Sequence, residues 1–177
     1  MSTQVSSARR GIATEEMITV AKEEEISLDN IIHKVANGSI IIPNNNSRKQ
    51  KKIKTTGIGC GLKTKVNVNI STSTLSQDID EEISKAKVAV KYGGDTIMDL
   101  SDGGDLDSIR ERLLEAAPIT FGAVPIYQAY WHAVDKYKNP LNITEDDFLN
   151  AFEKHAKDGV DYTTIHSGIT RIWHNEC

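Results

Sequence analysis

After residue 62 the sequence repeats one unit, in which a short strand, a polar loop and a helix lead to a return marked by glycine or proline. Apolar runs predict four strands, at residues 63–70, 95–100, 119–124 and 162–165. Helical spacing of apolar residues predicts four helices between them, at about 78–92, 106–117, 126–137 and 144–159. Strands joined through helices pair in parallel by right-handed crossovers. The chain is therefore predicted to have an α/β fold.

Two α/β architectures fit four such strands, a small doubly wound sheet and part of a (β/α)8 barrel. The chain has 177 residues, whereas a closed barrel needs roughly 200 or more, so length favours the open sheet. The placement of polar residues favours the barrel. They stand at or just past the carboxyl ends of strands, where barrel active sites lie, at Asn69, Asp99, Tyr127 and His166.

Residues 1–61 are expected to form a helical N-terminal region that ends in a basic, glycine-containing loop. Thr14 is a candidate N-cap for one helix, and Ser27 is a candidate N-cap for a second helix over residues 28–37. Five positive charges fall within residues 48–54. We interpret this basic segment either as a solvated loop or as a loop that contacts an anion. The lack of aromatic residues nearby in the sequence argues against nucleic acid.

The composition excludes several classes of protein. The formal net charge is −4, no apolar run reaches membrane-spanning length, and the polar N-terminus lacks a secretory signal pattern. Cys60 and Cys177 stand far apart without CxxC or Cys/His spacing, which excludes a disulfide framework, a zinc ribbon and an iron–sulfur motif within this sequence. We therefore expect a cytoplasmic protein with neither a nucleic-acid nor a membrane partner.

Candidate site residues must be chosen by position, because motifs such as GxSxG, GxxxxGK[ST] and HExxH do not occur in the sequence. Asn67 and Asn69 alternate with valine and so share one side of a strand, either in a structural network or as ligand contacts. Met98 ends a strand before a Gly-Gly loop, where core packing is the competing interpretation. His166 could donate a proton, bind a phosphate or be a structural histidine whose hydrogen bonds are made within the fold.

Six segments, taken in order, carry a resemblance to a known family. They are ARRGIATEEM (8–17), GSIIIPNN (38–45), KVNVNIS (65–71), GGDTIMDLS (93–101), GAVPIYQA (122–129) and GVDYTTIHSG (159–168). The chain resembles the phosphomethylpyrimidine synthase (ThiC) family of thiamine biosynthesis over residues 8–171, and it resembles only the N-terminal part of that family.

The resemblance implies a (β/α)8 barrel, of which about four βα units are present as a half barrel behind the helical N-terminal region. The expected division is residues 1–61 for that region, 62–171 for the half barrel and 172–177 for a tail unlike the family. The implied activity is that of a carbon–carbon lyase. Such an enzyme uses radical S-adenosylmethionine chemistry to convert 5-aminoimidazole ribotide into hydroxymethylpyrimidine phosphate.

Matched position by position, the substrate contacts of the family fall on Asn69, Met98, Tyr127 and His166. The resemblance implies that Asn69 and His166 hydrogen-bond to the imidazole ribotide. It implies that Met98 and Tyr127 pack against it, with a hydroxyl contact from the tyrosine. It assigns neither a catalytic residue nor a metal ligand to this sequence.

The cofactors implied by the family are S-adenosylmethionine, a [4Fe–4S] cluster and zinc, and the segments that hold the cluster and the metal are missing from this sequence. We therefore expect a substrate-binding fragment that is inactive alone. Its expected partners are 5-aminoimidazole ribotide and either a C-terminal half or a homodimer partner. The alternative is a small α/β module that binds a phosphorylated ligand without catalysis.

Overall fold

The structure, a computed structural model, describes residues 3–49 and 52–166, so the expected tail at 172–177 lies outside the described residues. Within these ranges, the α-helices are Gln4–Ala8 (α1), Glu15–Glu24 (α2), Leu28–Ala36 (α3), Ile79–Lys91 (α4), Leu106–Ala116 (α5), Pro125–Tyr137 (α6) and Glu145–Asp158 (α7). The strands are Ile40–Ile41 (β1), Ile58–Gly59 (β2), Asn67–Ile70 (β3), Thr96–Asp99 (β4), Thr120–Ala123 (β5) and Tyr162–Thr163 (β6). None of these helices is both long and apolar enough to cross a bilayer.

The four strands predicted from the repeat form one parallel sheet in the order β3-β4-β5-β6. Right-handed crossovers that always advance to the next strand leave their helices on one side of the sheet. A doubly wound sheet reverses this direction, so the sequential order differs from it and is compatible with part of an α/β barrel. Four strands do not close a barrel, and the (β/α)8 architecture stays a prediction.

The two faces of this sheet differ in chemistry, because successive side chains of a strand point to opposite sides. One face contributes Ile70, Ile97 and Phe121 to an apolar core that includes residues of α4 and α5. The opposite face, here named the polar face, carries the alternate positions: Asn67, Asn69, Thr96, Met98, Thr120, Gly122, Tyr162 and Thr164. The alternation predicted in VNVNI is confirmed, since Asn67 Nδ2 donates to Asn69 Oδ1 over 3.0 Å.

The N-terminal region has a second apolar core, formed by α1–α3 and β1, with β2 paired antiparallel to β1. Thr14 caps α2 as predicted, because its hydroxyl accepts from the backbone N–H of Met17 at 3.3 Å. Ser27 stands at the N-cap position of α3 without a side-chain capping bond. The sequence predictions did not include α1 or the β1–β2 pair. Elements of five and two residues are too short to show a periodic pattern.

Arg48 overturns the interpretation of the whole basic segment as a solvated loop. Arg48 is only 2% exposed, and its guanidinium forms an ion pair with Asp161 over 2.5 Å. It also donates to three backbone carbonyl groups, those of Leu114, Ala117 and Ile119. The first two lie at the C-terminal end of α5, where carbonyl groups lack helical partners. Arg48 therefore anchors the segment to the sheet and to α5.

The Asp161 carboxylate has partners besides Arg48. Its two oxygens accept from the backbone N–H groups of Asn45 and Phe121, each over 2.9 Å. Asn45 belongs to the loop after β1, and Phe121 belongs to β5. In contrast to Arg48, Lys49 and Lys52 of the basic segment are exposed, as a solvated loop requires.

Helices α5, α6 and α7 are joined by a polar network around Arg110, which is 2% exposed. Its Nε and one terminal nitrogen donate to Asp158 Oδ2 over 2.9 and 2.6 Å. The other terminal nitrogen lies 2.9 Å from Gln128 Oε1 and 3.1 Å from His155 Nε2. His155 Nε2 also lies 2.8 Å from Gln128 Oε1, which can only accept, so this shorter contact places the ring hydrogen on Nε2. Burial, together with the Arg110 charge, lowers the pKa of His155 to about 4.

Replacing Arg48 with methionine tests the anchor. Arg48→Met leaves the Asp161 carboxylate buried without its cation, and breaking a buried pair from one side costs about 3–5 kcal/mol. We expect the free energy of unfolding to fall by that amount in urea denaturation followed by circular dichroism. The control Lys49→Met removes the adjacent exposed cation and should change stability little. Equal losses in the two variants would contradict the anchoring role of Arg48.

The depressed pKa of His155 predicts a pH dependence of stability. Between pH 6.5 and about 4 the unfolded chain binds a proton at His155 that the folded chain does not. Stability therefore falls as the pH is lowered through this window, by about 3 kcal/mol at its lower end. The plot of unfolding free energy against pH should be shallower for His155→Gln than for the wild type over this range. Parallel plots would show that His155 is not the titrating group.

Candidate ligand-binding site

The sheet register brings two of the predicted site residues side by side. Asn69 of β3 stands opposite Met98 of β4, and both lie on the polar face near the carboxyl ends of their strands. Asn69 is exposed, whereas Met98 is 8% exposed. Thr164 Oγ1 lies 3.9 Å from Met98 Sδ, two residues before His166. Met98 is thus both packed against the sheet and in contact with the segment that carries the histidine.

The other two predicted residues meet at the same edge of the sheet. Pro125 begins α6 directly after β5, which places Tyr127 in the first turn of the helix. His166 follows β6. The Tyr127 and His166 rings stack with centroids 6.1 Å apart and planes inclined by 24°. The tyrosine is half-buried and the imidazole is exposed, so the stacked pair is open to a ligand on the histidine side.

A further side chain, Tyr162, crosses the polar face from β6 to β3. Its ring lies over Gly122, where an added Cβ would come within 2.4 Å of the ring carbon Cζ. Its hydroxyl donates to Asn67 Oδ1 over 3.0 Å, and Thr96 Oγ1 donates to the same oxygen over 2.7 Å. The sequence predictions did not include Tyr162, Thr96 or Gly122. They fall on alternate strand positions and within the quoted family segments, but neither signal points to a contact between them.

Asp99, the remaining polar residue expected at a strand end, does not lie on the polar face. It stands in register with Ile70 and Ala123, which belong to the apolar core. Burial raises the pKa of the Asp99 carboxyl, whose Oδ1 accepts from the backbone N–H of Ser101 over 2.9 Å. We therefore assign Asp99, the last residue of β4, to the support of the turn that follows the strand and not to the ligand-binding site.

The four candidate side chains suit the binding of a polar, partly aromatic ligand. The Asn69 amide and the His166 imidazole offer hydrogen bonds. The Met98 thioether and the Tyr127 ring offer a polarizable surface on which a planar ring can pack. Across the described ranges, no cluster of three or more His, Cys, Asp or Glu side chains could hold a metal ion.

The cysteines of this chain do not fit the iron–sulfur cluster that the resemblance implies. A [4Fe–4S] cluster is held by three or four cysteine thiolates, whereas the sequence contains two cysteines, Cys60 and Cys177. Cys60 is exposed in the turn after β2 and is a free thiol.

Comparison with known proteins agrees with the sequence motifs. The model of the radical SAM ThiC family matches residues 3–176. Phosphomethylpyrimidine synthases of Pyrococcus abyssi and Thermococcus gammatolerans are 47% and 48% identical to the chain over 169 and 172 residues, which is 96% of the chain and 39% of each relative. The phosphomethylpyrimidine synthase of Thermus thermophilus is 46% identical over 168 residues, 95% of the chain and 38% of the relative. The chain thus spans about two fifths of the length of the curated relatives it matches. With a family match over nearly its whole length, the chain belongs to the radical SAM ThiC family.

Proposed function

We propose that this chain supplies the part of a phosphomethylpyrimidine synthase that binds 5-aminoimidazole ribotide. The observation that carries the proposal is the pairing at one edge of the sheet, where Asn69 stands beside Met98 and Tyr127 stacks on His166. These are the four positions to which the family resemblance assigns substrate contacts. The shared name of the relatives supports a role in forming the thiamine pyrimidine.

The chemistry of the ribotide matches that of the four side chains. The ligand combines a planar aminoimidazole ring, ribose hydroxyl groups and a phosphate. In the proposed complex, the Asn69 amide and the His166 imidazole hydrogen-bond to polar atoms of the ligand. The side chains of Met98 and Tyr127 enclose the planar ring. Fixing a substrate in one orientation is the contribution that a binding site makes to a demanding rearrangement.

In this proposal the chain orients the substrate, and protein segments outside residues 1–177 supply the radical chemistry. The family is a radical SAM family, in which S-adenosylmethionine and an iron–sulfur cluster provide the radical. The ligands for the cluster and for zinc would come from a longer chain, a separate C-terminal half or a homodimer partner. The complete enzyme would be a cytoplasmic carbon–carbon lyase, with residues 62–171 as the first half of its (β/α)8 barrel and residues 1–61 ahead of it.

Calorimetric titration of the purified chain with 5-aminoimidazole ribotide tests the binding proposal. We expect saturable binding with one site per chain. Asn69→Ala and His166→Ala should each weaken binding by about tenfold, because each removes a hydrogen bond to a polar or charged ligand atom.

The matched control for Asn69→Ala is Asn150→Ala, which removes an exposed asparagine from α7, away from the polar face. This variant should bind the ribotide as tightly as the wild type. Absence of binding by the wild type, or equal loss of affinity in Asn150→Ala and Asn69→Ala, would refute the proposed site.

Anaerobic reconstitution with iron and sulfide tests the division of labour. The chain alone should retain less than one cluster per molecule, because its two cysteines are fewer than the three or four that hold a cluster. Adding the cluster-bearing remainder of a relative should then restore conversion of the ribotide. Iron and acid-labile sulfide assays, together with product detection, provide the readouts. A stoichiometric cluster on the chain alone would contradict this division.

A further inference from the structure

A chain of hydrogen bonds runs across the polar face from β6 to the candidate ligand contact on β3. The Tyr162 hydroxyl and Thr96 Oγ1 both donate to Asn67 Oδ1, over 3.0 and 2.7 Å. Asn67 Nδ2 then donates to Asn69 Oδ1 over 3.0 Å. Tyr162, Thr96 and Asn67 make no substrate contact in the proposed function. Their hydrogen bonds nevertheless lead to Asn69, which does make one.

The order of donors along this series of hydrogen bonds determines which group of Asn69 faces a ligand. The Asn67 amide oxygen accepts hydrogen bonds from two hydroxyl groups and therefore faces them. The amide nitrogen of Asn67 then faces Asn69. The oxygen of Asn69 is thereby engaged. Its Nδ2 group has no hydrogen-bond partner among the residues that the structure describes, and it is left as a donor of two hydrogens.

Packing holds the Tyr162 side chain where its hydroxyl can donate the first hydrogen bond of the series. Its ring lies over Gly122, and any larger residue there would push a Cβ to within 2.4 Å of the ring. Burial raises the pKa of the Tyr162 hydroxyl, so the group stays protonated and able to donate at neutral pH. The tyrosine therefore needs a glycine on the neighbouring strand to lie flat across the sheet.

We propose that Tyr162 is a positioning residue, which acts through Asn67 to fix the Asn69 amide with its NH2 group directed at the ligand. It follows that the ligand atom bound by Asn69 is an acceptor, such as a ring nitrogen or a hydroxyl or phosphate oxygen. The part of the inference that concerns a ligand rests on the proposed function, whereas the fixed orientation of Asn69 belongs to the free chain and can be measured without ligand.

Nuclear magnetic resonance of the chain labelled with 15N-asparagine tests the inference directly. The Asn69 side-chain NH2 signals are identified by their loss in Asn69→Asp. In the double variant Tyr162→Phe/Thr96→Val, Asn67 loses both hydroxyl donors while ring and side-chain volume are kept. Both orientations of the Asn67 amide then become populated, and we expect the Asn69 NH2 signals to shift and broaden. Gly122→Ala, which displaces the ring, should shift the same signals.

The matched control is Tyr137→Phe, which removes another tyrosine hydroxyl hydrogen bond, the one to Asp147 over 3.1 Å. It should leave the Asn69 signals unchanged. Unchanged Asn69 signals in the double variant and in Gly122→Ala would overturn the inference. So would a wild-type spectrum in which the Asn69 NH2 protons, and not those of Asn67, are protected from exchange, because the Asn69 oxygen would then face the ligand.

Titration with 5-aminoimidazole ribotide separates this inference from the proposed function. The double variant Tyr162→Phe/Thr96→Val should weaken binding by about three- to tenfold, the usual effect of losing one hydrogen bond, and Tyr137→Phe should not weaken it. Wild-type affinity in the double variant would overturn the positioning role while the binding site stands. Absence of binding by the wild type would refute the binding site, and the Asn69 signals would still decide whether Tyr162 fixes the amide.

Discussion

The buried ion pair between Arg48 and Asp161 is the constraint on which the rest of the structure depends. It joins the N-terminal region to the residue directly before β6, and the two partners are far apart in sequence. A buried pair contributes little net stability compared with apolar packing, but burying either charge without its partner is strongly destabilising. The pair therefore favours the single arrangement in which both charges and the carbonyl groups at the end of α5 are satisfied. Its main effect is to specify how the two cores fit together.

The same carboxylate sets the geometry of the candidate site. Asp161 Oδ2 accepts from the backbone N–H of Phe121, and the Asp161 N–H donates to the Phe121 carbonyl, each over 2.9 Å. These two bonds fix the register of β6 on β5 and place Tyr162 opposite Gly122. The tyrosine ring can then lie across the sheet and reach Asn67. The anchor of the N-terminal region, Asp161, and the support of Asn69, Tyr162, are thus adjacent in sequence, and Tyr162 is the first residue of β6.

Local pattern was enough to predict most of the fold. Alternation identified β3, and helical spacing with capping residues such as Thr14 identified helices α2 to α7, because these signals arise within one element. The burial of Arg48 could not be predicted in this way, since its partner lies 113 residues away and nothing nearby distinguishes it from Lys49. The four candidate site residues were found from strand ends and family motifs. Tyr162 was not, because its role depends on the register of three strands.

The polar face explains why this chain is suited to bind something specific. Asn67 and Asn69 are exposed there, and the Asn69 Nδ2 group has no hydrogen-bond partner among the described residues. An apolar face can be covered by any apolar surface, whereas buried polar groups gain only from matched donors and acceptors. This face therefore favours a ligand or further strands with complementary groups over nonspecific collapse. A ligand that supplies such groups stabilises the folded chain by mass action, so binding and stability are coupled here.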